Sequence, residues 1–177
     1  MIVAVGGQVE VTAPLSNDRA AQHHAVQDLT PWGTTPLYDA IIACVDRIQP
    51  VDGRRALVLL SDGDDRYSTA VPETVLDHVR RSDVLVYPVV IGPRVPPLLD
   101  RVAALSGGRA FHVAEPAGLA SALHAIALDL RHQYLLGYSP QRADDPTPAW
   151  RTIEVRVDRP DAHVRARQGY WTEAPRF

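Results

Sequence analysis

Three strand-length apolar runs, each followed by a stretch with helical spacing, restrict this chain more than any other feature. The first, "ALVLLS" from Ala56, stays apolar to Leu60 and stops at Ser61 and Asp62. The others are Val84–Ile91 and Arg109–Val113. Unbroken apolar strands are expected where both faces of a sheet are covered. Between and around them lie Leu37–Ile48, Pro72–Arg81, Pro97–Leu105 and Pro116–Tyr134. In the first of these, Leu37, Ile41, Cys44, Val45 and Ile48 recur at helical spacing. Strand and helix in alternation predict an α/β fold with a doubly wound, mostly parallel, Rossmann-like sheet.

The flanks read differently. Ile2–Val5 and Val9–Val11 form a hairpin signal around Gly6-Gly7. Ser16 suits the cap of a helix over 17–29. "TPWGTTP" is a loop, and Pro36 suits the first turn of the helix after it. Pro88 cannot donate to a ladder, so a bulge or a sheet margin is expected there. Gly107-Gly108 is a helix stop. Beyond Tyr134, "LLGY" reads as a short strand and "SPQRADDPTPA" as a polar loop. "RTIEVRVD" and "AHVRARQGY", joined by "RPDA", alternate like an antiparallel hairpin with one wet face bearing Arg151, Arg156, Arg165 and Arg167. The organisation expected is an α/β domain over 1–134 and a β extension over 135–177 packed on it. The chain reads as strand from its second residue, so a preceding segment is expected to be missing.

Composition removes several functions. The net charge of −3 gives no general pull toward nucleic acid or anionic lipid. All 18 basic residues are Arg, so P-loop and Schiff-base lysine chemistry is excluded. A single cysteine, Cys44, makes no internal disulfide and reads as a small core residue. No apolar stretch is long enough to span a membrane. The N-terminus lacks a basic segment and a small-residue cleavage site, so it is not a signal peptide. The histidines show no metal-ligand spacing, and neither G-x-S-x-G nor G-x-G-x-x-G occurs.

Chemistry concentrates in "SDGDD", Ser61–Asp65. Ligands of open α/β sheets bind beyond the carboxyl ends of the strands, where Asp62 falls. A hard divalent cation takes oxygen ligands, often one or two carboxylates plus water. Asp and Gly are also common in any turn, so these acids equally fit a solvated loop. Thr35, before Pro36 and a helix, reads on spacing first as an N-cap, and second as a hydroxyl facing the same cleft.

"GTTPLYDAI", "GRRALVLLSDGDD", "GGRAFHV", "YLLGYSP", "VRVDRP" and "VRARQGYW" together resemble the von Willebrand factor A domain, in its bacterial VWFA-related branch. The resemblance runs from about residue 2 to 171, and the C-terminal motifs are the part most particular to that branch. It implies a protein-binding, non-enzymatic module with a metal-ion-dependent adhesion site. Three loops build that site in the family. Thr35 matches the threonine of the second and Asp62 the aspartate of the third. The cation implied is Mg²⁺ or Mn²⁺, its shell completed by an acidic group of a protein partner. Relatives of the branch look exported, which implies a periplasmic or extracellular parent. The D-x-S-x-S of the first loop is absent, because no Ser stands two residues after an Asp. Its strand and helix would lie upstream, leaving a truncated fold, a partial site and a gap or open edge in the sheet. Cation affinity is then expected at about millimolar or weaker. Asp64 and Asp65 carry no ligand role from the family. The alternatives are a metal-independent interaction or structural domain that has lost the site, and a hydrolase using the Asp62 cluster. An aspartyl-nucleophile phosphatase would want a lysine this chain lacks.

Overall fold

The computed structural model describes residues 1–30, 33–92, 94–139 and 147–172. Among them, a hairpin, β1 (Ile2–Val5) and β2 (Val9–Ala13), is followed by α1 (Arg19–Gln27) and α2 (Leu37–Ile48). Then come β3 (Arg55–Ser61), α3 (Pro72–Arg81), β4 (Val84–Ile91), α4 (Pro97–Ser106), β5 (Phe111–Val113) and α5 (Leu119–Arg131). A short pair, β6 (Trp150–Thr152) and β7 (Gly169–Trp171), closes the order.

The expected α/β architecture is present. β3, β4 and β5 form a parallel sheet with β4 in the centre. β4 is buried along nearly its whole length because strands flank it and helices cover both faces. On one face Leu37, Ile41 and Val45 of α2 meet Val75 and Val79 of α3 and Leu99 and Val102 of α4. On the other, Tyr87 and Val89 pack against Ala122 and Ile126 of α5. Cys44 lies buried in α2, and burial raises its thiol above the ordinary value.

Several local expectations shift by a residue or a role. Asp18, not Ser16, caps α1, accepting from Ala20 and Ala21 N–H at 3.0 Å. Ser16 instead accepts from Asp18 N–H. The β3–β4 register runs unbroken past Pro88, so there is no bulge. The N–H of Val86 turns toward the β5 side, where it reaches Ser106 Oγ at 2.9 Å. Pro88, two residues on, turns the same way, and the β5 ladder starts only at Val89. The missing donor therefore costs no ladder bond. Gly107 ends α4 in the left-handed region at φ 84°, as a stop glycine should.

The C-terminal part departs most. "LLGY" forms no strand; Tyr134, Leu135, Leu136 and Tyr138 are largely exposed. The expected hairpin is antiparallel but pairs only three residues on each side. Of the "SPQRADDPTPA" loop, residues 140–146 lie outside the described residues. The arginines are not a free wet face. Arg165 pairs with Asp129 of α5. Arg167 pairs with Asp83 and donates to the carbonyls of Gly169 and Ser82. These bonds clip the extension to the α/β layers.

Tyr87 gives this core a pH signature. The residue is 0% exposed, and its hydroxyl accepts from Gln133 Nε2 at 2.9 Å. Burial, and then the nearby Asp129 carboxylate, hold its phenol above the ordinary 10.0. The folded state thus favours the neutral phenol. Its contribution is whole below pH 10.0 and is lost as pH rises through the raised folded value. Urea-unfolding stability of the native chain should fall more steeply than that of Tyr87→Phe from pH 10.0 up to that raised value, with parallel curves below pH 10.0.

Candidate functional site

The carboxyl end of β3 opens into a loop, residues 62–71, that must cross toward α3. Asp62 is the first residue past the strand and is exposed. Its Oδ1 accepts from Asp64 N–H at 3.1 Å, a local turn that fixes the carboxylate at the rim. Gly63 follows at φ 88°, and a Cβ there would meet Pro96 Cγ at 2.6 Å, so the turn needs glycine on two counts. The end of β4 lies alongside: Gly92 is close to the Asp62 carbonyl, and its own carbonyl meets His112 Nε2 at 2.5 Å.

The three acids have three different tasks. Asp64 faces Arg66 at 3.5 Å in an exposed ion pair worth little. Asp65 reaches back to α2. Its Oδ1 accepts from Tyr38 N–H at 3.0 Å and from Ser68 Oγ at 2.6 Å. Ser68 Oγ in turn accepts from the N–H groups of Tyr38 and Asp39 at 3.1 and 3.2 Å. Asp39, in the first turn of α2, returns the favour: its carboxylate accepts from Thr69 and Ala70 N–H at 2.8 and 2.9 Å. The helix start and the acidic loop therefore cap each other.

This exchange answers a local deficiency. Pro36 is the N-cap of α2 and offers no side-chain hydrogen bond, so the orphan N–H groups of the first turn need partners from elsewhere. Carboxylates near a helix N-terminus are also favoured by its dipole. Thr35 is not the N-cap expected from the sequence. Its carbonyl instead accepts from Leu37 and Arg66 N–H, both at 2.8 Å. That second bond ties Thr35 to the loop that starts at Asp62. Sequence reasoning missed Asp39 and Ser68, and the capping role of Asp65. The usable signal was a helix beginning at proline with an acid in its first turn.

One residue of the loop is held against its preference. Tyr67 adopts φ 70°, where a bulky side chain is disfavoured, and it is 83% exposed. The loop thus presents an aromatic ring to solvent. Thr35 is half-buried ahead of α2, and Asp62 is exposed just past β3. Among the described residues no group of three or more His, Cys, Asp and Glu side chains gathers as a metal site. His78 is engaged with Asp46 at 2.6 Å, and His132 with the Leu128 carbonyl at 2.8 Å.

The cross-cap predicts a coupled loss. Asp65→Ala and Asp39→Ala should each cost about 1 kcal/mol. The double variant should cost less than their sum, because both remove one shared arrangement. Urea unfolding of the four species closes the cycle.

No protein-family model matches the chain, and no curated protein matches it. Among solved structures, a von Willebrand factor type A protein from Catenulispora acidiphila superposes with a TM-score of 0.60 at 22% identity. The match covers 70% of this chain and 32% of that one, so this chain spans about a third of its length. An uncharacterized membrane spanning protein from Vibrio fischeri aligns over 74% of each chain, but with a TM-score of 0.40 and 18% identity it carries no argument. The likeness to the first is one of fold: this chain has a von Willebrand factor A-like fold with an antiparallel C-terminal pair.

Proposed function

We propose, from the von Willebrand factor A-like fold, that this chain is a non-enzymatic protein-binding module. It would present Mg²⁺ or Mn²⁺ at the carboxyl rim of its sheet, and Thr35 and Asp62 would hold the cation. The observation that carries this reading is the bond from Arg66 N–H to the Thr35 carbonyl, at 2.8 Å, which fastens the threonine segment to the loop that Asp62 opens. The Asp62 carboxylate is exposed at the carboxyl end of a parallel strand, where such sheets bind ligands. The protein partner would complete the shell with an acidic group. The exposed ring of Tyr67, in the loop that Asp62 opens, would serve as an anchor, since tyrosines are frequent anchors of protein interfaces.

Affinity should be low, because one carboxylate and one hydroxyl leave most of the shell to water. Titration of the 177-residue chain with Mn²⁺, read by water-proton relaxation, should give saturation at about 1 mM or weaker. Asp62→Ala should abolish that signal while leaving the unfolding midpoint unchanged, since the side chain is exposed. Identical curves for the two proteins would sink the proposal.

A second reading, a metal-independent interaction domain, has its own support. Asp65 is spent on capping α2 and Asp64 on Arg66, so the loop's acids have structural uses. Partner binding that persists in excess chelator would favour it.

A further inference from the structure

Between β6 and β7 the chain runs out and back as one arm, residues 153–168. Its two limbs share a backbone bond at the base, where Ile153 N–H donates to the Gln168 carbonyl at 2.9 Å. Past that bond, the arm's own backbone bonds among the described residues are local ones. They run from Arg159 N–H to the Val157 carbonyl and from Ala162 N–H to the Arg159 carbonyl. No residue of the arm is buried, although Ile153, Val155, Val157 and Val164 are apolar. Apolar burial therefore contributes little to holding it down.

The arm is held by polar contacts. Arg165 pairs with Asp129 of α5. Arg167 pairs with Asp83, which also faces Arg55 at 4.0 Å, and donates to the Ser82 carbonyl at 3.1 Å. Gln168 N–H donates to the Leu105 carbonyl at 3.3 Å. These attachments follow the amino end of the parallel sheet, opposite the acidic rim. The Asp83 and Asp129 side chains are 68% and 30% exposed, so both pairs are weak and open to screening by salt. The base is different: Gly169 is buried, and β7 packs on α3, with the Arg81 guanidinium 4.3 Å from the Trp171 ring. The helix end under the arm is shaped to let it pass. A Cβ on Gly107 would meet Arg167 N at 2.7 Å, so this glycine serves both the stop of α4 and the close approach of the arm.

We propose that residues 153–168 form a charge-held strap, which opens about the β6–β7 base while the α/β layers stay folded. Opening frees Arg165 and Arg167 and uncovers the Leu105 carbonyl and the end of α4 at Gly107. Two partly exposed ion pairs together shift such an equilibrium about fivefold, so ionic strength sets the open fraction.

Amide hydrogen exchange at single residues of the 177-residue chain, followed by NMR, tests this. Gln168 N–H reports the strap, and Thr172 N–H, bonded to the Ala149 carbonyl at 2.9 Å, reports the base. Between about 0.1 and about 1 M NaCl, Gln168 exchange should quicken about fivefold while Thr172 is unchanged. Asp83→Asn combined with Asp129→Asn keeps oxygen acceptors and removes both charges. Gln168 should then exchange about fivefold faster at low salt, and added salt should change nothing further. Gly107→Asn tolerates the left-handed backbone but sets a Cβ against Arg167, and should speed Gln168 about tenfold or more at either salt. Equal quickening of Gln168 and Thr172, or Gln168 exchange indifferent to salt in the native chain, overturns the proposal. So does a double variant that stays as salt-sensitive as the native chain.

Discussion

The parallel ladder between β3 and β4 is the constraint on which the rest depends. Its unbroken register, from Arg55 opposite Val84 to Ser61 opposite Val90, sets where both strands end. It brings the Asp62 backbone beside Gly92 and starts the acidic loop at the rim of the sheet. It also divides the core. Leu59 of β3 and the even-numbered Val84, Val86 and Val90 join the face covered by α2, α3 and α4, while Tyr87 and Val89 join the face covered by α5. A slip by one residue would exchange these sets and place Tyr87 among the wrong helices.

The acidic loop follows from a different rule, the obligation to satisfy backbone donors. A helix that begins at Pro36 has no side-chain cap of its own. The loop after β3 has N–H groups of its own to satisfy. Asp65 and Ser68 serve the first need, and Asp39 the second. Each interaction is modest, since a cap contributes about 1 kcal/mol. Their joint effect is geometric. They hold the residues around Tyr67 in a conformation that Tyr67 itself disfavours, and they keep Thr35 near the loop. The loop and the start of α2 are thus ordered by the fold itself.

How much of this could be read from the sequence depends on the range of the interaction. Helix α2 has the expected bounds because its apolar spacing and its proline are local signals. α3 and β4 are as clear for the same reason. Pro88 was readable as a disruption, but not as a harmless one, because that depends on where β5 begins. "LLGY" has strand composition and no strand, since a strand needs a partner that local pattern does not name. Arg165 and Arg167 look like a solvated face from their alternation, yet Asp129 and Asp83, distant in sequence, claim them. Of the site, Asp62 at a strand end was legible. The roles of Asp65 and Ser68 were not, because they serve a helix 27 to 30 residues upstream.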